Sequence, residues 1–128
     1  MSKKLLIVDD SRGNSELYRI RFEFDNWEVK IAYSAEKALE ILKEGDYRPD
    51  AMLLDLMLPK MQGDELLEVI RNKPKLKDIA VIVLTALSLN REDEERISGE
   101  ADDYISKTSI TPQELVKRVN TLLASRAK

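Results

Sequence analysis

Ala51-Met52-Leu53-Leu54-Asp55 decides the reading of this chain: four consecutive apolar residues end on a carboxylate. A run that is apolar at every position leaves no face for water. It fits a strand covered on both sides, as in a parallel sheet flanked by helices. The same signature recurs along the chain. Leu5-Leu6-Ile7-Val8 runs into Asp9-Asp10, Ile79 to Leu84 into Thr85, and Tyr104-Ile105-Ser106 into Lys107. Val29-Lys30-Ile31-Ala32 is a weaker strand candidate.

The intervening segments carry helical periodicity. Leu17, Ile20 and Phe24, at i, i+3 and i+7, supply the apolar stripe of a first helix. Ala35, Ala38, Leu39 and Leu42 supply a second, capped by Ser34. Leu66 and Ile70 lie behind Asp64 and Glu65, with Arg71 and Lys73 near the end and Pro74 as the stop. The fourth helix is charged from Arg91 to Arg96, with Asn90 as cap and Ile97 as its clearest anchor, and is expected to be short, exposed and mobile. Thr111, Pro112 and Glu114 form a capping box ahead of the stripe Leu115, Val119, Leu122. Residues after about Leu123 are expected to be a frayed tail. Five strands alternating with five helices, joined by right-handed crossovers, predict a doubly wound α/β domain spanning residues 1–128 without repeat or linker.

Bulk composition removes several function classes. Hydrophobic residues make up 43% of the 128, enough for a core, and the net charge is −3. There is no basic run to attract nucleic acid or anionic lipid. Without cysteine or histidine the chain has no disulfide, thiolate ligand, histidine general base or Ser-His-Asp triad. The apolar run after the N-terminal lysines is too short for a signal peptide or a membrane span, so a cytoplasmic location is expected.

What stands at the strand ends carries the chemistry. In an open α/β sheet, ligands bind beyond the carboxyl ends of the strands. Asp9, Asp10, Asp55, Thr85 and Lys107 would gather at that rim. Two carboxylates about 4 Å apart repel by roughly 4 kcal/mol at an effective dielectric of about 20. Protonation or a cation must relieve that. Oxygen ligands without histidine or cysteine favour Mg²⁺ or Mn²⁺ over zinc. A dication with Lys107 opposite is what a transferring phosphoryl group needs, with Asp55 as nucleophile and Thr85 as a hydroxyl donor. Singly, each residue has an ordinary explanation: helix-initiating acids, a strand-end acid, a β-forming threonine, a solvated lysine. Together, from four distant segments, they do not.

The runs Leu6 to Ser11, Leu54 to Gly63, Val83 to Ala86 and Ala101 to Lys107 resemble the receiver domains of bacterial response regulators, the chemotaxis regulator among them. The resemblance covers nearly the whole chain in order and spacing. It implies a flavodoxin-like (βα)5 fold with strand order 2-1-3-4-5. It further implies that Asp55 is phosphorylated by a sensor histidine kinase or histidine phosphotransfer protein. Asp10, Asp55 and the Met57 carbonyl would hold Mg²⁺, with Asp9 close by. Thr85, the Ala86 amide and Lys107 would bind the phosphoryl oxygens, and Thr85 and Tyr104 would act as switch residues. The face of the fourth helix, fifth strand and fifth helix would be read by a downstream protein, with a homodimer on phosphorylation as a further option. The only catalysis implied is the chain's own phosphoryl transfer and slow self-dephosphorylation, with Met57 and Leu87 placed to control water.

Two departures stand out. Thr108 follows Lys107 where the family usually has proline, which leaves the cis or trans state of that bond open. Glu100 stands where it usually has glycine, so the end of the fourth helix is expected to differ. The rival readings are weaker. A flavin or nucleotide site needs a phosphate-cradling loop where Asp9-Asp10 stand. A phosphatase with an aspartate nucleophile would want an acid where Met57 stands. A docking or dimerisation module of the same fold, independent of phosphorylation, has no need of the intact acceptor set.

Overall fold

A computed structural model describes residues 2–43, 47–58, 61–86 and 89–126. Its strands are β1 (Lys4–Val8), β2 (Glu28–Ala32), β3 (Ala51–Leu54), β4 (Ala80–Thr85) and β5 (Asp103–Ser106). They alternate with α1 (Arg12–Phe24), α2 (Ala35–Lys43), α3 (Gly63–Asn72), α4 (Arg91–Glu100) and α5 (Pro112–Arg126). All pairings are parallel and the order is β2-β1-β3-β4-β5. The doubly wound sheet expected from the apolar runs is what forms.

Alternate side chains of the central strands feed two cores, as the two-residue period of a strand requires. Leu6, Val8, Met52, Leu54, Val81 and Val83 pack under α2, α3 and Ile97 of α4. Leu5, Ile7, Leu53, Ile82 and Leu84 pack under α1 and α5. Both faces are covered, which is why these runs show no alternation.

Three expectations need correcting. Helix α1 forms, but Leu17, Ile20 and Phe24 are 59%, 61% and 74% exposed, while Ser15, Tyr18 and Phe22 are buried. Phase is set at the helix start: Ser11 accepts from the Asn14 amide, and the Ser15 hydroxyl donates to the Asp9 carbonyl. That rotation turns Phe22 inward, edge-on to Trp27 at 5.3 Å. Second, α5 does not fray at Leu123 but continues to Arg126, whose guanidinium bonds the Asp78 carbonyl and pairs with Asp102. Third, α4 runs ten residues, no shorter than α3, although Ile97 is its only buried side chain. It ends on extended Ala101 (φ −91°, ψ 153°), so Glu100 needs no left-handed backbone. Among the described residues only Asn26 is a non-glycine with positive φ.

Candidate functional site

Strands β1 and β3 are neighbours at the point where the strand order reverses, and Val8 pairs with Leu54. The next residue on each is therefore a carboxylate at the same height. The Asp55 amide donates to the Val8 carbonyl at 2.9 Å, and the Asp9 amide to the Ala32 carbonyl at 3.1 Å. Asp9 is 3% and Asp55 6% exposed. Each holds one oxygen against a local amide: Asp9 Oδ1 accepts from Ser11 at 2.9 Å, and Asp55 Oδ1 from Met57 at 3.0 Å.

The second oxygens share one cation. Lys107 Nζ donates to Asp9 Oδ2 at 2.7 Å and to Asp55 Oδ2 at 2.8 Å. Lysine reaches them from the end of β5, where a short turn over Lys107–Ser109 is capped by Ser106. No peptide bond among the described residues is cis. The Lys107–Thr108 bond is thus trans, and the lysine needs no proline after it to reach the site.

Asp10 is exposed, and one oxygen from each of Asp9, Asp10 and Asp55 lies within 4.8 Å of the others. Burial pushes Asp9 above the usual carboxylate range; its bonds to Lys107 and Ser11 only partly offset that. Burial also works against the Lys107 ammonium, but the bonds to Asp55 and Asp9 outweigh it and hold the lysine above its ordinary value. The cluster carries more negative than positive charge and presents hard oxygen donors without nitrogen or sulfur. Those are the terms on which Mg²⁺ or Mn²⁺ binds, so the residues present fit a hard dication.

Thr85 closes β4, is fully buried and pairs in register with Ser106. Ala86 beside it is exposed. Tyr104 is half-buried against the α2–α4 core, and burial, with Glu94 nearby, raises its phenol. Met57, two residues after Asp55, is 50% exposed. Leu87, Pro59 and Lys60 lie outside the described residues.

Two contributors had no role assigned from the sequence, although Gly63 closes the Leu54–Gly63 run. Gly63 lies against the backbone of Asp55: a Cβ there would sit 2.2 Å from the Asp55 carbonyl oxygen. Its amide donates to the Leu56 carbonyl at 3.1 Å, which ties the start of α3 to the end of β3. The signal was a glycine at the head of a helix, where only close approach demands one. Tyr18, buried on α1, lies within electrostatic reach of Lys107, Asp9 and Asp55, and burial raises its phenol. Nothing in its spacing marked it out from Leu17.

A model of the response regulator receiver domain matches residues 5–120. The chain is 34% identical over 123 residues to the response regulator MprA of Mycobacterium ulcerans, covering 96% of this chain and 51% of that protein. It therefore spans about half the length of that relative. Against the polar-differentiation response regulator DivK of Brucella ovis it is 34% identical over 114 residues, 88% of this chain and 90% of DivK. A solved CheY-like receiver domain protein from Methanospirillum hungatei superposes with a TM-score of 0.87 at 27% identity, covering 99% and 98% of the two chains.

Proposed function

This chain belongs to the response regulator receiver domain family, and from that premise we propose that it is a phosphorylation-activated switch with Asp55 as acceptor. One observation carries the reading: a single ammonium, Lys107, binds the buried Asp55 and Asp9 while Asp10 stands within reach of both.

The phosphodonor is a sensor histidine kinase or a histidine phosphotransfer protein. A carboxylate oxygen of Asp55 attacks the phosphorus of the donor's phosphoimidazole. The P–O bond forms as the P–N bond breaks, and imidazole leaves with the electron pair. The product is an acyl phosphate on Asp55. Asp10, Asp55 and the Met57 carbonyl, with Asp9 beside them, would hold Mg²⁺ or Mn²⁺, which when bound neutralises charge on the phosphoryl oxygens. Lys107 swings one N–H from Asp55 to the phosphoryl group and keeps Asp9 paired. The Thr85 hydroxyl and the Ala86 amide take the remaining oxygens.

These new charge-assisted bonds bias a two-state element. Thr85 and Tyr104 shift, and the α4-β5-α5 surface, altered, engages a downstream protein or a second copy of the chain. The chain catalyses only its own phosphorylation and slow hydrolysis of the acyl phosphate, and it works in the cytoplasm. No helix among the described residues is long and apolar enough to cross a membrane.

The test compares wild type with Asp55→Asn, each treated with a small acyl-phosphate donor and Mg²⁺ and measured by intact mass. Wild type should gain one phosphoryl group and the variant none. A label on the variant would place the acceptor elsewhere. A wild type that binds Mg²⁺ yet takes up no label would leave a docking module of receiver fold as the better reading.

A further inference from the structure

Arg71, in the last turn of α3, sends its guanidinium out of its own helix. Nε donates to the Glu100 carbonyl at 2.7 Å. One Nη donates to the carbonyls of Lys77 and Ile79, both at 2.9 Å. The other pairs with Asp102 Oδ2 at 2.9 Å. That carboxylate oxygen also accepts from the Val81 amide at 2.8 Å and lies 3.7 Å from Arg126. The ends of α3, α4 and α5 and the start of β4 thus meet at one ion pair.

For α4 this junction supplies what its own sequence lacks. The helix has acids in its first turn, which suit the positive end of its dipole, but no basic residue in its last turn. Its final carbonyls have no following helical amide. The Glu100 carbonyl finds the Arg71 guanidinium instead. The other end is held differently. Asn90 caps the helix from the solvent side, and Arg96 reaches Asp64 through an exposed pair. Ile97, three residues before the helix end, is the only buried side chain. Within the helix the hold on α4 is therefore concentrated at its C-terminal turn; the partly buried Leu89 is the apolar contact ahead of its cap, and this less firmly held end is the one joined to Thr85 by a few residues of chain.

We propose that the Arg71–Asp102 clasp is the pivot of α4. When the Thr85 end of β4 rearranges, the first turns of α4 swing while Glu100 stays fixed on the guanidinium. The swing rests on the phosphoacceptor reading above; the clasp does not.

Amide hydrogen exchange on the full chain, resolved by NMR, tests both parts. The reporters at the fixed end are the Ala101 amide, bonded to the Ile97 carbonyl, and the Asp102 amide, bonded to the Val81 carbonyl. In ligand-free Arg71→Gln these should exchange about tenfold faster or more, the scale expected for loss of a charge-assisted bond that limits local opening. Arg71→Lys, with one point charge in place of a fork, should fall between. If Arg71→Gln does not fold, Asp102→Asn, which keeps an acceptor for Val81, should give the same acceleration at Ala101. In wild type with Mg²⁺ and beryllofluoride as the phosphoryl mimic, amides of residues 92–96 should change rate while Ala101 and Asp102 stay within about twofold, since their closing bonds are unaltered. Unchanged protection of Ala101 and Asp102 in Arg71→Gln overturns the clasp. Equal changes at both ends of α4 overturn the pivot. A wild type that fails to bind beryllofluoride at all overturns the phosphoacceptor reading and the swing with it, while the ligand-free arm still decides the clasp.

Discussion

Lys107 shows how much one side chain can hold together. Its removal as Lys107→Met leaves Asp9 and Asp55 buried, close and without a counter-ion. Breaking a buried ion pair by deleting one partner costs about 3 kcal/mol or more. Urea denaturation without Mg²⁺ at neutral pH should show a loss of that order. The loss should narrow in acid, because burial lets Asp9 take up a proton above its ordinary 3.8. In wild type the lysine is held above its ordinary 10.5, so its contribution is intact below that pH and is lost as pH climbs through the higher folded value. Gly63→Ala is a second test at this scale. A methyl group 2.2 Å from the Asp55 carbonyl must displace backbone, and overpacking of this kind costs about 2 kcal/mol. The variant should melt earlier and bind Mg²⁺ more weakly. Strand-end polar residues were legible because each interrupts an apolar run. The roles of Gly63 and Tyr18 were not, because they rest on proximity across the fold; Gly63 itself was visible only as the end of the Leu54–Gly63 run.

For single elements, α1 is the instructive case. Two sets of residues at helical spacing compete for the inside, and the more apolar set, Leu17, Ile20 and Phe24, lies outside. Periodicity gives the helix but not its rotation. The cap at Ser11 and the Ser15–Asp9 contact fix its start, and the packing of Tyr18 and Phe22 against β1 and α5 is a tertiary fact. Phe22→Ala should therefore cost about 3–5 kcal/mol and Phe24→Ala within about 0.5 kcal/mol by chemical denaturation. Equal losses would put the rotation in error. At α5 the capping box was readable from sequence: the Glu114 amide donates to Thr111 Oγ1 at 3.1 Å, and Glu114 accepts from the Thr111 amide at 2.9 Å. That backbone bond holds the Glu114 carboxyl below its ordinary 4.5. The support it gives is present above that value and is lost as pH falls through the lower folded one. An NMR titration of Glu114 should show the low midpoint, and Thr111→Ala, which loses the hydroxyl but keeps the backbone amide, should return it only part of the way toward the ordinary range.

Taken whole, the molecule has a site that no single βα unit contains. Mg²⁺ should bind only the assembled rim, so it should raise the unfolding temperature with the logarithm of its concentration. At about a hundredfold over its Kd the gain is about 2.7 kcal/mol. Thermal melts across a Mg²⁺ series should show this in wild type and only weakly in Asp10→Ala. The strand order was readable through the family resemblance. The clasp at Arg71 was not, since a helix-ending arginine looks in sequence like an ordinary partner of its own helix dipole.

One consequence follows for the chain as it leaves the ribosome. Asp9 and Asp55 emerge well before Lys107, and β5, which carries the lysine, is an edge strand added last to β4. A nascent chain lacking that strand brings its two central strands together with their acids unneutralised. Its early βα units should stay loosely docked until β5 has been translated, so on the phosphoacceptor reading a nascent chain lacking β5 would not be charged before it can respond.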